Sequence, residues 1–294
     1  MKFTGVFLFF DLNCIITSME QYILKEHSDG SVTTVRDVQL VLLEMLKDID
    51  AICRKHNIPY YLTGGSCLGA VRHQGFIPWD DDADIGMLYE DYLRFLVALK
   101  EDLDPEKYYF QCFASHKEYN VCIPAMKIRK RNTYIKEVNT LLANKCKDGD
   151  GLFIDVFLVD YMSENKAEDF MCRMKSYAYM ASITALENLN INPFKLKRHF
   201  VKMSRDYSRK HQDSTLIGYD MNWTYNSPLK PVVYKKDDIY PVKYIKFEDT
   251  YLPVPKNPDA LLEVEIGGEY MQYPKMKMQA PKHIIDINLN GEDH

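Results

Sequence analysis

Apolar positions recur at helical spacing between residues 34 and 57. Leu42, Met45, Leu46, Ile49, Ile52 and Cys53 share one face, while Glu44, Lys47, Asp48 and Arg54 lie off it. Thr34, with Asp37 three positions on, has the form of a capping box, and Asn57 and Pro59 stop the run. The same period predicts a helix over 90–99, with Tyr92, Leu93, Leu96 and Leu99 inward and Asp104-Pro105 as the break. Helical composition returns over 165–189, which is Met-rich, and over 193–211. Short apolar runs predict strands at 60–62, 108–113, 125–129, 133–138 and 152–159. The last, LFIDVFLV, is apolar except for Asp155, and a lone buried acid is costly without a partner. Residues 145–151 form a polar loop. From 213 to 238 the pattern loosens around Trp223, Asn226-Ser227-Pro228 and Lys235-Lys236. Turn and strand character follows at 247–255, then a short helix over 259–264 ended by Gly267-Gly268.

These elements predict an α/β (α+β) protein, with a mixed sheet core flanked by helices and a mainly helical C-terminal half. The expected organisation is a poorly ordered extension at 1–30, a domain over 31–274 and a polar tail at 275–294 ordered by docking. Within the domain, a catalytic core over about 35–161 precedes a helical acceptor-side region over about 162–274. Whether these are one domain or two is left open by the pattern. Residues 1–18 are apolar with one Lys near the start and resemble a weak signal peptide. Asp11 interrupts the run, no clean cleavage site follows, and the stretch is too short to cross a bilayer. It is read as a loosely attached segment, with Met19 as an alternative start.

The chain has 294 residues and a net charge of -5, a balance that argues against nucleic acid as partner. Seven Cys, an odd number without metal-ligand spacing, predict reduced and mostly buried thiols and a cytoplasmic setting. The 21 Tyr are many for this length and fit half-buried core aromatics or a sugar or base pocket.

Chemistry concentrates in residues 60–87, YYLTGGSCLGAVRHQGFIPWDDDADIGM. Asp80, Asp81, Asp82 and Asp84 place four carboxylates in five positions, which repel one another unless a cation sits among them. Read as a strand, alternation puts Asp80, Asp82 and Asp84 on one side and Asp81, Ala83 and Ile85 on the other. Neighbours on one side lie about 7 Å apart at the backbone, so their oxygens can converge on Mg²⁺ (or Mn²⁺) and substrate phosphates. Asp155, on a neighbouring strand, can complete such a site. Acids on adjacent strands holding divalent ions are a recurring solution for phosphoryl transfer. Gly64-Gly65-Ser66 can bring backbone N–H groups to an anion at a helix N-terminus, although such turns alone are commonly only turns.

The run GGSCLGAVRHQGFIPWDDDADIGM resembles the signature of the LicD family, whose members resemble nucleotidyltransferases in fold. Matching blocks follow at Lys127-Ile128-Arg129 with Asn132-Thr133, at residues 151–157 with Asp160, and at Phe247-Glu248 through Pro255 with Leu261-Leu262. The resemblance runs from about residue 35 to 273. It departs where a Tyr-Gly pair is expected and Ile266-Gly267 stands. It implies that Asp82 and Asp84 bind metal with Asp80 and Asp155 assisting, and that the donor is CDP-linked. Family members include choline-phosphate transferases of bacterial surface glycans and ribitol-phosphate transferases.

The expected activity is therefore Mg²⁺-dependent transfer of a phosphoryl-alcohol from a donor such as CDP-choline or a CDP-polyol. The acceptor would be a hydroxyl of a cell-surface glycan or glycolipid precursor, met in the cytoplasm or at the inner face of the membrane by peripheral association. A nucleotidyltransferase and a non-catalytic nucleotide-binding protein are the alternatives. Catalysis is assigned to Asp82, Asp84 and Asp155, and donor binding to Gly64, Gly65, Ser66, Arg72, Lys127 and Arg129. A surface salt bridge is the other reading of Arg72, and a solvated sheet edge that of Lys127 and Arg129. His73 is read as orienting the loop to Trp79, Trp79 and Phe76 as packing, Asp160 as a turn cap, and Asp81 as an acceptor of backbone hydrogen bonds.

Overall fold

The computed structural model describes residues 22–113, 121–137, 151–219 and 229–291. The expectations for residues 1–18, for most of the 145–151 loop and for Trp223 lie outside these. Among the described residues there are seven α-helices and thirteen strands, and the mixed α/β reading holds.

The first long helix, α1 (Val35–Lys55), starts where the capping box predicts. The Thr34 hydroxyl accepts the Asp37 N–H at 3.2 Å and the Asp37 carboxylate accepts the Thr34 N–H at 2.8 Å. It stops before Asn57, which takes a left-handed φ of 52°. Its buried stripe includes all six residues expected on the inner face.

A seven-stranded sheet is built around β8 (Phe153–Tyr161). On one edge β8 pairs in parallel with β4 (Asp84–Leu88), so that Asp84 lies beside Asp155. Its other edge is shared, with β6 (Met126–Lys130) along its first half and β9 (Leu216–Tyr219) along its second. β3 (Tyr61–Leu62), β5 (Tyr108–Cys112) and β10 (Val233–Lys235) pair outside β4, β6 and β9. A strand with partners on both edges and cover on its faces must be apolar, which accounts for LFIDVFLV. Helices α1 and α3 (Tyr89–Asp102) pack against β8. Between β3 and β4 lies α2 (Gly64–His73), at whose start the glycine turn stands.

The back half holds the two expected helices, α4 (Lys166–Asn188) and α5 (Phe194–Lys210). The loosened stretch at 213–238 is a correction: it holds β9, β10 and the one-turn α6 (Lys236–Ile239). Strands of three and four residues are too short to show a period. A hairpin of β11 (Lys243–Phe247) and β12 (Thr250–Val254) precedes α7 (Pro258–Glu265). The polar tail contributes β13 (Ile284–Asn288), which pairs with β7 (Tyr134–Glu137). No helix among the described residues is long and apolar enough to cross a membrane.

Glu248, at the β11–β12 turn, ties three segments together. Arg36 donates to both its oxygens at 2.9 and 2.7 Å, and the Phe76 N–H donates at 3.2 Å. The hydrogen bonds from Arg36 hold its carboxyl below the usual range. A depressed acid stabilises the fold above its unfolded value of about 4.3 and ceases to do so as pH falls through the folded value. Melting temperature should therefore fall on acidification below about pH 5, and Glu248→Gln should flatten that part of the profile. An unchanged profile in the variant would remove Glu248 from the account.

Candidate active site

Asp84, Asp155 and Lys127 form one rung across three adjacent strands. Asp84 faces Asp155 in the β4–β8 register and Asp155 faces Lys127 in the β8–β6 register. Register partners project to the same face of a sheet, so the three side chains meet. The Lys127 ammonium lies 3.0 Å from Asp155 Oδ1 and 3.0 Å from Glu137 Oε2. The ladder begins only at Asp84, shorter than the expected strand from Asp82. Alternation nevertheless holds upstream: Asp80, Asp82 and Asp84 stay partly accessible while Asp81, Ala83 and Ile85 are buried.

Crowding sets the electrostatics. Burial first, and the charges of Asp82 and Asp81 next, push the Asp80 carboxyl well up. Asp84 is raised well above its usual value by burial and then by Asp82, Asp155 and Asp80. Asp82 is raised by burial and partly relieved by His283, whose ring lies 3.3 Å from its carboxylate. Burial pushes Asp155 up to about 6 against the opposing pull of Lys127.

Asp81 does what its buried side implies. Its carboxylate accepts the backbone N–H groups of Lys282, His283 and Ile284 at 2.9–3.3 Å. The expected acceptor of backbone hydrogen bonds is present, and its donors come from the tail.

The glycine turn has a narrower role than expected. The Gly64 N–H donates to Glu265 Oε2 at 2.8 Å, and the Thr63 hydroxyl to Glu265 Oε1 at 3.0 Å. Tyr219 and Tyr234 donate to the same Oε1 at 2.8 and 2.6 Å. A protein carboxylate therefore fills the place at Gly64 that an anion would take. Ser66 is buried and its hydroxyl accepts the Asp84 N–H at 2.9 Å, fixing the turn to the acidic strand. Gly65 faces the acids directly: a Cβ there would stand 2.6 Å from Asp80 Oδ2. Gly65→Ala should displace Asp80 and lower turnover about 100-fold with little change in substrate binding. Wild-type turnover in that variant would show that the close approach is not needed.

Arg72 is anchored, its guanidinium donating to the carbonyls of Tyr270 and Gln272 at 2.8 and 3.1 Å. It lines a cleft of about 810 Å³ with Gly65, Trp79, Asp80, Tyr273 and Lys282. Arg129 is brought to the site's rear and not to this cleft: it is buried and donates to Gln111, Gly151 and Glu137. His73 packs edge-on against Trp79 and Tyr273, and Phe76 against Phe247, as the packing readings expect. Asp160 accepts the Tyr161 N–H and pairs with Arg205 at 2.5 Å. Glu265, Tyr219, Tyr234, Glu137 and His283 were not legible as site residues, since each stands alone in its local pattern.

Among the described residues no three His, Cys, Asp or Glu side chains already converge on one cation position. The donor set nonetheless suits a hard divalent ion, being all carboxylate oxygen. Asp155 Oδ1 is buried and accepts no aligned hydrogen bond, although Lys127 lies close. Asp80, Asp82, Asp84 and Asp155 are the residues that would hold such an ion.

Fold and site together define a mixed-sheet domain with an acid cluster at the start of two parallel strands. Residues 57–166, just over a third of the chain, match the family model described as LicD/FKTN/FKRP, nucleotidyltransferase domain. It is 49% identical over 63 residues to the lipopolysaccharide cholinephosphotransferase LicD of Haemophilus influenzae, covering 21% of this chain and 24% of that protein. It is 33% identical over 95 residues to the ribitol-5-phosphate transferase FKTN of Mus musculus, covering 31% and 19%. The likeness to the ribitol 5-phosphate transferase FKRP of Homo sapiens is 42% over 50 residues, covering 17% and 10%. The matched stretches thus span less than a third of the length of these curated relatives.

Proposed function

We propose that this protein transfers a phosphoryl-alcohol group from a CDP-linked donor, CDP-choline or a CDP-polyol, to a hydroxyl of a cell-surface glycan or its precursor. The observation that carries this reading is the Asp84–Asp155 rung, with Asp80 and Asp82 crowded against it and no lysine or arginine but Lys127 on the same rung. The acceptor oxygen attacks the phosphorus that bears the alcohol, the bond from that phosphorus to the oxygen of the CMP phosphate breaks, and CMP leaves. The hydroxyl proton passes to a carboxylate, for which Asp155, held on the rung by Lys127, is placed. Mg²⁺ (or Mn²⁺) held by Asp80, Asp82, Asp84 and Asp155 would neutralise phosphate charge. Arg72 and Lys282 on the cleft wall bind the diphosphate, and the exposed Tyr273 offers its ring to the base or alcohol. Lys127 holds Asp155 in place and so acts through the acid.

The nucleotidyltransferase label of the matched family model favours one rival, transfer of the nucleoside monophosphate. The metal site would serve both. Incubation with Mg²⁺ and CDP-choline, CDP-ribitol or CDP-glycerol, followed by mass spectrometry of a glycan acceptor, separates them. Acceptor mass raised by the phosphoryl-alcohol supports the proposal. Mass raised by CMP, or unchanged with every donor, overturns it. The setting that follows is the cytoplasm or the inner face of the membrane, where CDP-linked donors are made.

A further inference from the structure

The hairpin of α4 and α5 buries two ion pairs beside a small apolar cluster of Met180, Ile183 and Phe200, and leaves a row of apolar side chains on its outer face. The buried positions of α4 are Asp169, Arg173, Ser176, Met180, Ile183 and Glu187. Asp169 pairs with Arg173 at 2.8 Å, and Glu187 with Lys197 of α5 at 2.6 Å, all four side chains being nearly closed to solvent. On the outer face Phe170, Met171, Met174 and Tyr177 are 38%, 56%, 41% and 51% exposed, spaced as one helical stripe. At the connection Leu189 and Ile191 add to it, 70% and 51% exposed. A helix facing water alone would show the opposite pattern.

The second observation is charge. α5 carries seven Lys and Arg against one Asp, and five of them stay on the surface once Lys197 and Arg205 are taken up by Glu187 and Asp160, in a chain whose net charge is -5. The cationic and apolar groups face the same way: Met171 and Lys175 of α4 share a groove of about 470 Å³ with Met203 and Lys210 of α5, its two acids being Asp206, paired with Lys202, and Glu168. An apolar stripe beside lysines with long, extensible stems is the arrangement that seats a helix in a headgroup layer.

We infer that the outer face of the α4–α5 hairpin docks on an anionic lipid surface. Met171, Met174 and Tyr177 enter the boundary of the acyl chains, while Lys175 and Lys210 meet lipid phosphates. A second copy of this chain is a poorer occupant, because a two-fold contact through this face would set two cationic α5 helices against each other. The inference stands apart from the transferase reading, since vesicle binding is measured without donor or acceptor.

The test is co-sedimentation of the full chain with vesicles of phosphatidylcholine alone and of phosphatidylcholine mixed with phosphatidylglycerol. Binding to the mixed vesicles that is released by salt is expected. Replacing Met171, Met174 and Tyr177 together by Ser should weaken it about tenfold or more. Lys175→Glu with Lys210→Glu should do the same. Both variants should keep the wild-type melting temperature, because the altered side chains are exposed. Absence of binding to either vesicle overturns the inference, as does binding that survives both variants. A concentration-dependent dimer that the Ser variant dissolves, without vesicle binding, assigns the face to self-association and overturns it equally.

Discussion

Asp84→Asn should abolish transfer and at the same time raise the melting temperature measured without metal. The loss is expected to be about a thousandfold or more, because the carboxylate would hold the divalent ion, and such an ion contributes several kcal/mol to phosphoryl transfer. The gain has a separate cause. Burial and the charges of Asp82, Asp155 and Asp80 push the Asp84 carboxyl well up, so its ionised form costs the folded state stability at neutral pH. Relief of about 1 kcal/mol would raise the melting temperature of a chain of this size by roughly 2–4 °C. Mg²⁺ should then stabilise the wild type and do little for the variant. Scanning calorimetry with and without the ion reads both effects. A variant that melts lower than the wild type without metal would mean that Asp84 is structural.

Glu265→Ala should destabilise by about 3–5 kcal/mol, the usual cost of deleting one partner from a buried charged network. For this length that is a fall of roughly 10 °C. The variant strands the Gly64 N–H and the Tyr234 hydroxyl and leaves the hydroxyls of Thr63 and Tyr219 only each other, all four having converged on the lost carboxylate. Glu265→Gln keeps an accepting oxygen and should lose less than half as much. Tyr219→Phe, which removes one donor of four, should cost about 1 kcal/mol. Thermal denaturation followed by circular dichroism distinguishes the three. Equal losses in the Ala and Gln variants would show that side-chain shape, not hydrogen bonding, holds α7 against the glycine turn.

These two residues show which parts of the site the sequence could reveal. Asp84 stood out because acids in close succession are costly and because alternation assigns their sides. The partner Asp155 stood out as a lone acid in an apolar strand. Both signals are local, and the register that joins them follows from two apolar runs long enough to read. Asp81 was separable from its neighbours by the same alternation. Glu265 carried no such mark: it ends a short amphipathic helix, where a Glu is ordinary, and its partners come from positions 63, 64, 219 and 234. The same reason hid β9 and β10, whose three or four residues show no period. Lys127 and Arg129 lie buried on one strand, and what they meet depends on Glu137 and Gln111, which only the folded sheet brings near.

The tail donors to Asp81 bear on how this protein is made. The contacts between Asp81 and residues 282–284, between Gly64 and Glu265, and between Arg72 and Tyr270 each join positions about 200 residues apart. Loops of that length close late and slowly. During synthesis the acidic segment therefore leaves the ribosome long before the backbone that braces Asp81 exists. At a few to tens of residues per second, on the order of ten seconds or more pass with the four carboxylates unbraced. The sheet can gather around β8 in that interval, but the cleft acquires its second wall only when residues 266–283 arrive. A nascent chain held short of that point should be folded in its core and unable to take up donor.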